Sequence, residues 1–253
     1  MKVGILAGGL GTRLAGHTNN IPKPMVPIGG KPILWHIMRG YAKYGYNNFV
    51  IALGYKSEVI KNYFINYHKI SNDLTISMGK GNIQLNSKIS ENWTVELLDT
   101  GLDNNTGKRV ELLAKHINEP FMLTYGDGVC DVNIDDLLKF HNSHGKLATL
   151  TAVRPPARFG EVKIRDGQVI TFAEKPQTST GWINGGFFVL NPEIAGYVHG
   201  NHQWEKEPLT KITKDKELMA FKHEGFWHCM DTPNDVRSLE NLWASGSPAW
   251  KTW

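Results

Sequence analysis

The apolar positions of this chain follow two patterns: short continuous runs that stop at glycine, and longer stretches in which apolar residues recur every three or four positions. Continuous runs mark strands buried on both faces, and the three-to-four spacing marks helices with one buried stripe. Residues 2 to 7 are the first run. Residues 32 to 44 follow as a helix, with Ile33, Ile37, Tyr41 and Tyr44 on one face and Gly45 as its stop. Phe49 to Leu53 is the next strand and residues 57 to 67 the next helix. Strand and helix alternating at this spacing predict a doubly wound α/β fold, a central sheet flanked by helices.

From about 68 to 98 the pattern changes. Leu74 to Met78 alternates, residues 79 to 81 turn, and Ile83 to Leu85 and Trp93 to Leu98 are strand-like, which predicts a small β region added to the core. By itself the pattern reads as a covering hairpin. The α/β pattern resumes with a helix from Thr106 to Ile117, a strand from Phe121 to Thr124, and a helix from Asn133 to His144 whose face is Ile134, Leu137, Leu138 and His141. Short strands are expected at 147 to 153, 161 to 165, 168 to 173 and 185 to 190, then a helix from about 208 and a strand from Lys216 to Lys222. Thr232 as N-cap and Pro233 at the first helical position start a last helix with core positions Val236, Leu239 and Leu242. The aromatic tail from Trp243 to Trp253 is expected to pack on its own domain. The 253 residues suit one domain, 1 to 130 forming one half and 131 to 253 the other.

Composition narrows the partners more than the fold. The formal charge of +4 is modest and no Lys/Arg block stands out, so neither nucleic acid nor a membrane is an expected partner; a mild positive excess suits small anions. Two cysteines make no disulfide framework and no C-x-x-C metal motif, and the ten histidines lack ligand spacing, so zinc is not expected. The opening apolar run is too short for a secretory signal, and no stretch approaches the roughly 18 apolar residues of a membrane span. The expected location is cytoplasmic.

The candidate chemistry begins where the first strand ends. Leu6, Ala7, Gly8, Gly9, Leu10, Gly11, Thr12 and Arg13 form a glycine-rich turn ending in a guanidinium, and Lys23 follows between Pro22 and Pro24. Glycines at 8, 9 and 11 permit positive φ and let backbone N–H groups converge on phosphate oxygens, while Arg13 and Lys23 neutralise the anion. The flanking prolines bias Lys23 toward an extended conformation that presents its ammonium. The loop is neither G-x-x-x-x-G-K-[ST] nor G-x-G-x-x-G with a later acid, which argues against a Walker loop and a dinucleotide oxidoreductase. A triphosphate site is the expectation. Gly126, Asp127 and Gly128 follow a strand, so Asp127 lies at the same sheet edge as the glycine loop. The start of the 106 to 117 helix, with free N–H groups, is a second plausible place to meet a nucleotide.

The runs LAGGLGTRL and PKPMVPIGGKPILWHIM resemble the signature of the sugar-1-phosphate nucleotidyltransferases. The resemblance continues through DTG at 99 to 101, TYGDGV at 124 to 129, FAEKP at 172 to 176, INGGFFVLNP at 183 to 192, ELMAF at 217 to 221, MDT at 230 to 232 and the terminal WKTW. It implies a Rossmann-like nucleotidyltransferase fold with a mixed, mostly parallel sheet, a nucleotide-binding first half and a sugar-phosphate-binding second half. Within the family it points to CTP and glucose 1-phosphate as substrates, CDP-glucose as product, and CDP-linked dideoxyhexoses for surface polysaccharide downstream. It also implies a homo-oligomer, with the added β region helping subunits associate as the alternative to a covering hairpin.

The resemblance makes Arg13, Lys23 and Asp127 catalytic. It gives residues 6 to 13 of the glycine loop, Lys23, Thr106, Arg109 and Asp127 to the nucleotide, and Glu174, Lys175, Asn184 and Gly185 to the sugar phosphate. Mg2+ would sit on Asp127 and Asp231, since magnesium prefers one or two carboxylates beside substrate phosphates. A phosphate monoester is already a nucleophile, so the missing Ser, Cys or His motif agrees with this chemistry. Residues 15 to 21 depart from the family, which tends to be acidic there with a basic residue before Pro-Lys-Pro. Cys130 and Cys229 lie close in sequence to the two aspartates, so alkylation should inhibit and magnesium nucleotide protect. A uridylyl or thymidylyl transferase, and a non-catalytic regulatory subunit, remain as alternatives.

Overall fold

In a computed structural model the chain is described at residues 1–14, 20–86, 91–155, 161–165, 167–173 and 181–253. The first run becomes β1 (Val3–Leu6), fully buried, and the Pro-Lys-Pro segment leads into the two-residue strands β2 (Pro27–Ile28) and β3 (Lys31–Pro32). Helix α1 (Ile33–Ala42) buries Ile33, Ile37 and Tyr41 as the periodicity predicts, and His36 with them. Then come β4 (Asn48–Leu53), α2 (Ser57–Ile65) and a short α3 (Tyr67–Ser71).

The inserted β region is smaller than predicted. β5 (Asp73–Ser77) and β6 (Asn82–Asn86) form the hairpin alone, whereas β7 (Thr94–Asp99) pairs parallel with β4 and is the edge strand of the central sheet. Alternation in sequence could not separate the two, because an edge strand and a surface hairpin both expose one face.

The second part of the chain contributes α4 (Thr106–Ile117), β8 (Phe121–Tyr125), β9 (Gly128–Cys130), α5 (Ile134–His144), β10 (Ala148–Val153), β11 (Glu161–Arg165), β12 (Gln168–Ala173) and β13 (Ile183–Leu190). It closes with α6 (Glu207–Lys214), β14 (Leu218–His223), β15 (Trp227–Cys229) and α7 (Pro233–Ala244). The central sheet has seven strands in the order β14-β10-β13-β8-β1-β4-β7. Only β13 runs against its neighbours, so the sheet is mixed and mostly parallel.

The sheet carries one core on each face. One packs α1, α2, α5 and α7 through residues such as Ile37, Ile60, Leu137 and Leu239; the other packs α4 and α6 through Val110, Leu113 and Ile212. The aromatic tail folds onto the first core as expected, with Trp250 only 2% exposed. The carboxyl ends of β1, β4 and β8 meet at one edge, where ligands bind in open α/β sheets.

Candidate active site

Three glycines of the loop do three different things. Gly11 has φ +62°, a conformation glycine adopts without a Cβ penalty, and there the chain turns into the buried anchor Leu14. Gly8 has no room for a side chain, because a Cβ would lie 2.3 Å from Nη1 of Arg109. Gly9 faces open space, with nothing within 4 Å of where its Cβ would be, and Leu10 beside it is exposed. The outward rim of the loop is therefore backbone at Gly9 and Gly11 with the exposed Thr12. The side chain of Arg13 lies outside what the structure describes.

Arg109 sits under the loop rather than on its rim. Its guanidinium, 2% exposed, donates to the carbonyls of Leu53 (2.8 Å), Gly8 (3.0 Å) and Leu102 (3.2 Å) and to the Thr100 hydroxyl (2.5 Å). Arg109 thus forms a floor that fixes the loop to the ends of β4 and β7. Its place in the chain agrees: Arg109 precedes Val110 and lies one turn from Leu113, on the apolar stripe of α4.

The start of α4 is also taken. Gly107 N–H donates to the carbonyl of His202, Asn105 N–H to the side chain of Asn201, and Thr106 Oγ1 accepts from Trp204 N–H while donating to Glu205. Segment 201–205 thus provides partners for backbone donors that were expected to meet a nucleotide.

Lys23 occupies a 3-10 turn (Lys23–Met25) instead of the expected extended segment. The turn satisfies Met25 N–H with the Pro22 carbonyl and Val26 N–H with that of Lys23, and still delivers the ammonium to one place. Nζ lies 2.5 Å from Oδ2 of Asp127 and 2.6 Å from Oδ1 of Asp231, with its side chain 13% exposed. Burial by itself would lower the Lys23 pKa, but the Asp127 charge and the hydrogen bonds to both carboxylates outweigh it and hold the value above that of a free lysine.

The two aspartates, 104 residues apart in sequence (231 − 127), meet through a ribbon that the sequence reading missed. β9 pairs antiparallel with β15, and Met230 N–H donates to the Asp127 carbonyl at 2.8 Å. Asp127 is held from the other side, since Gly126 N–H donates to the Leu6 carbonyl at the start of the glycine loop. Asp231 is fixed by the predicted cap of α7, where Thr232 and Asp235 form a reciprocal capping box and Asp231 N–H also donates to Asp235.

Ligand atoms of Asp127, Asp231 and Cys229 all lie within 4.8 Å of one another. Two carboxylates already gathered around a cationic nitrogen suit a hard divalent cation; the Cys229 thiol, pushed up by burial, stays protonated and is a poor partner for one. Of the two cysteines, then, only Cys229 belongs to this site, and Cys130 joins a separate group with Asp131 and His223.

The acceptor side is partly described. Glu174 and Lys175 lie outside the described residues, as do 15 to 19 of the divergent segment. Asn184 opens β13, its Oδ1 accepting from Gly186 N–H at 2.9 Å and its Nδ2 facing the Tyr125 hydroxyl at 3.4 Å. The Gly185 carbonyl accepts from the Trp227 indole at 2.7 Å. Tyr125 in turn donates to Glu205, so Asn184, Tyr125, Glu205 and Thr106 form one chain of contacts between β13 and α4. Glu205 carried no sequence signal.

A glycine-rich loop, an ammonium between two carboxylates and an α/β sheet edge define a nucleotidyl-transfer architecture, and the chain belongs to the Nucleotidyl transferase family, whose pattern it matches over residues 2–245. It is 50% identical, over all of both chains, to the glucose-1-phosphate cytidylyltransferase of Salmonella typhimurium. It is 43% identical, again over all of both chains, to the probable glucose-1-phosphate cytidylyltransferase of Bacillus subtilis. Among solved structures it resembles HddC from Yersinia pseudotuberculosis, with a TM-score of 0.69 and 26% identity over 96% of this chain and 99% of that one.

Proposed function

We propose that this chain transfers a cytidylyl group from CTP to α-D-glucose 1-phosphate, releasing pyrophosphate and forming CDP-glucose. The observation that carries the reading is Lys23 held between Asp127 and Asp231 beside the glycine loop. The 50% identity to the Salmonella cytidylyltransferase supports the choice of base and sugar.

In this reading the sugar phosphate oxygen attacks the α-phosphorus of the nucleotide in line, and the chain supplies position and charge rather than a nucleophile. Backbone N–H groups at the loop rim and the Arg13 guanidinium take the triphosphate. Lys23 stabilises charge on the α-phosphate and the leaving pyrophosphate. Glu174, Lys175, Asn184 and Gly185 form the sugar-phosphate subsite, and Thr106 and Arg109 support the nucleotide indirectly, through Glu205 and the loop floor. Asp127 and Asp231 would hold Mg2+, which neutralises phosphate charge when bound.

The test is pyrophosphate release with Mg2+, glucose 1-phosphate and each of CTP, UTP, dTTP, ATP and GTP. A strong preference for CTP supports the reading. Preference for UTP or dTTP replaces the product, and no release with any nucleotide favours a regulatory subunit.

The hairpin suits association with a second copy. β5 and β6 place Leu74 opposite Leu85 and Ile76 opposite Ile83 on one face, with Ile76 53% and Met78 88% exposed. A lone two-stranded hairpin is marginal in water, so these side chains call for a covering surface. Replacing Ile76 and Ile83 by Lys should shift the sedimentation mass downward; a mass that already equals one chain before substitution removes the idea.

A further inference from the structure

Cys130, Asp131 and His223 form a group that nucleotidyl transfer does not use. Their ligand atoms all lie within 4.8 Å of one another, at the junction of the end of β9, the end of β14 and the turn into β15. His223 Nε2 is 2.8 Å from Asp131 Oδ1, and both side chains are largely but not wholly covered, at 13% and 29% exposure. Burial pushes the Cys130 thiol up and keeps it protonated in the absence of a cation, while backbone N–H groups of Val132 and Asp131 at the sulfur oppose that shift. Gly225 lies over the pair: a Cβ would be 2.5 Å from Asp131 Oδ1 and 2.7 Å from His223 Cε1. The turn has thus been kept free of a side chain where these two groups meet.

We propose that Cys130, Asp131 and His223 bind a borderline-soft divalent cation of the Zn2+ class, separate from the Asp127 and Asp231 carboxylates. One sulfur, one nitrogen and one oxygen are a zinc donor set, and a fourth position remains for water on the exposed side of Asp131. Magnesium, which demands oxygen ligands, would not choose it. Cys130 ends β9 whereas Asp127 lies in the turn before it, and the two groups have no residue in common, so the two ions would not share ligands.

Binding requires small changes with a defined proton balance. The Cys130 thiol loses its proton to solvent. The Nε2–H that now faces Asp131 moves to Nδ1, freeing the Nε2 lone pair. The Nε2 and Oδ1 atoms then separate from 2.8 Å to about 3.3 Å, the spacing set by metal bonds of about 2.0 to 2.1 Å in a tetrahedron. A bound ion would clamp the edge strand β14 to the β9–β15 ribbon that also carries Asp127 and the approach to Asp231. Histidine spacing could not signal such a site, because His223 lies 92 residues from Asp131.

Cobalt(II) added to the full-length, chelator-treated protein tests this directly, since cobalt reports a thiolate ligand by its near-ultraviolet charge-transfer band. The wild type and Cys229→Ser should show the band, and Cys130→Ser and His223→Gln should lose it. In competition titrations His223→Gln, which keeps a donor for Asp131, should weaken Zn2+ by on the order of a hundredfold or more. Absence of the band in the wild type overturns the proposal. So does a band lost with Cys229→Ser and kept with Cys130→Ser, which would place the thiolate at the other carboxylates. Should Cys130→Ser fail to fold, His223→Gln and Cys229→Ser alone decide between these outcomes.

Discussion

Lys23 and Arg109 are two cations at the same end of the sheet, 13% and 2% exposed, one between two aspartates and the other on the Gly8 carbonyl of the glycine loop. Lys23 faces two carboxylates and carries net attraction that a phosphate or a metal ion can redistribute. Arg109 faces carbonyl and hydroxyl oxygens of the chain itself, which leave no charge to exchange. Burial and charge type are alike in the two; the partners differ, and the partners decide whether a buried cation does chemistry or holds a floor.

The sharpest way to break this contrast is Lys23→Met. It should lower kcat/KM by about a hundred- to a thousandfold, the scale of a lost donor to developing charge. It also leaves Asp127 and Asp231 facing each other, so stability should fall in chelator and recover with a divalent cation. A kinetic loss under about tenfold would put Lys23 in the same scaffolding class as Arg109.

Arg109→Met should do the reverse. Four oxygens lose a donor at once, but the Leu53 carbonyl keeps Thr100 and the Gly8 carbonyl keeps Tyr55 N–H, so the loss is that of hydrogen bonds worth about 0.5–1.5 kcal/mol each without adding fully, and unfolding free energy should drop by on the order of 3 kcal/mol. Nucleotide KM should rise as the loop loosens, with kcat at saturation changed less. A variant of full stability that cannot bind nucleotide would return Arg109 to the ligand face that the family resemblance implied.

The sequence made the scaffold and the loop legible for a physical reason: β1, α1, α5 and α7 are long enough for period and caps to speak, as the Thr232 and Pro233 start of α7 illustrates. Lys23 and Asp127 stood out because prolines and glycines flank them. Three-residue strands carry no period, so the β9–β15 ribbon that brings Asp231 to Asp127 was not legible. Nor was the direction of Arg109, which the family resemblance gives to the nucleotide and which lies on the buried stripe of α4. Glu205 and His223 act through partners far away in sequence, which no local pattern encodes.

His36 extends the comparison to a third buried base, one that resolves burial by giving up its charge. Its Nε2 lies 2.8 Å from the Ile28 carbonyl and its Nδ1 faces the Trp250 indole N–H at 3.5 Å, so one ring nitrogen donates and the other accepts, as in a neutral imidazole. Burial lowers its pKa from 6.5 to about 4, the Ile28 hydrogen bond opposing and the Lys251 charge assisting. The unfolded chain therefore binds a proton between pH 6.5 and 4 that the folded chain refuses, and stability must fall as pH falls through that window. Between pH 7 and 5 the share from His36 is about 2 kcal/mol, at 1.36 kcal/mol per unit. Urea unfolding of the wild type and His36→Gln at both pH values separates it from other groups, since glutamine keeps a donor for Ile28 and cannot titrate. The variant should be less stable at pH 7 and lose less on acidification. Equal losses in the two proteins would mean that His36 is protonated in the fold, as Lys23 and Arg109 are.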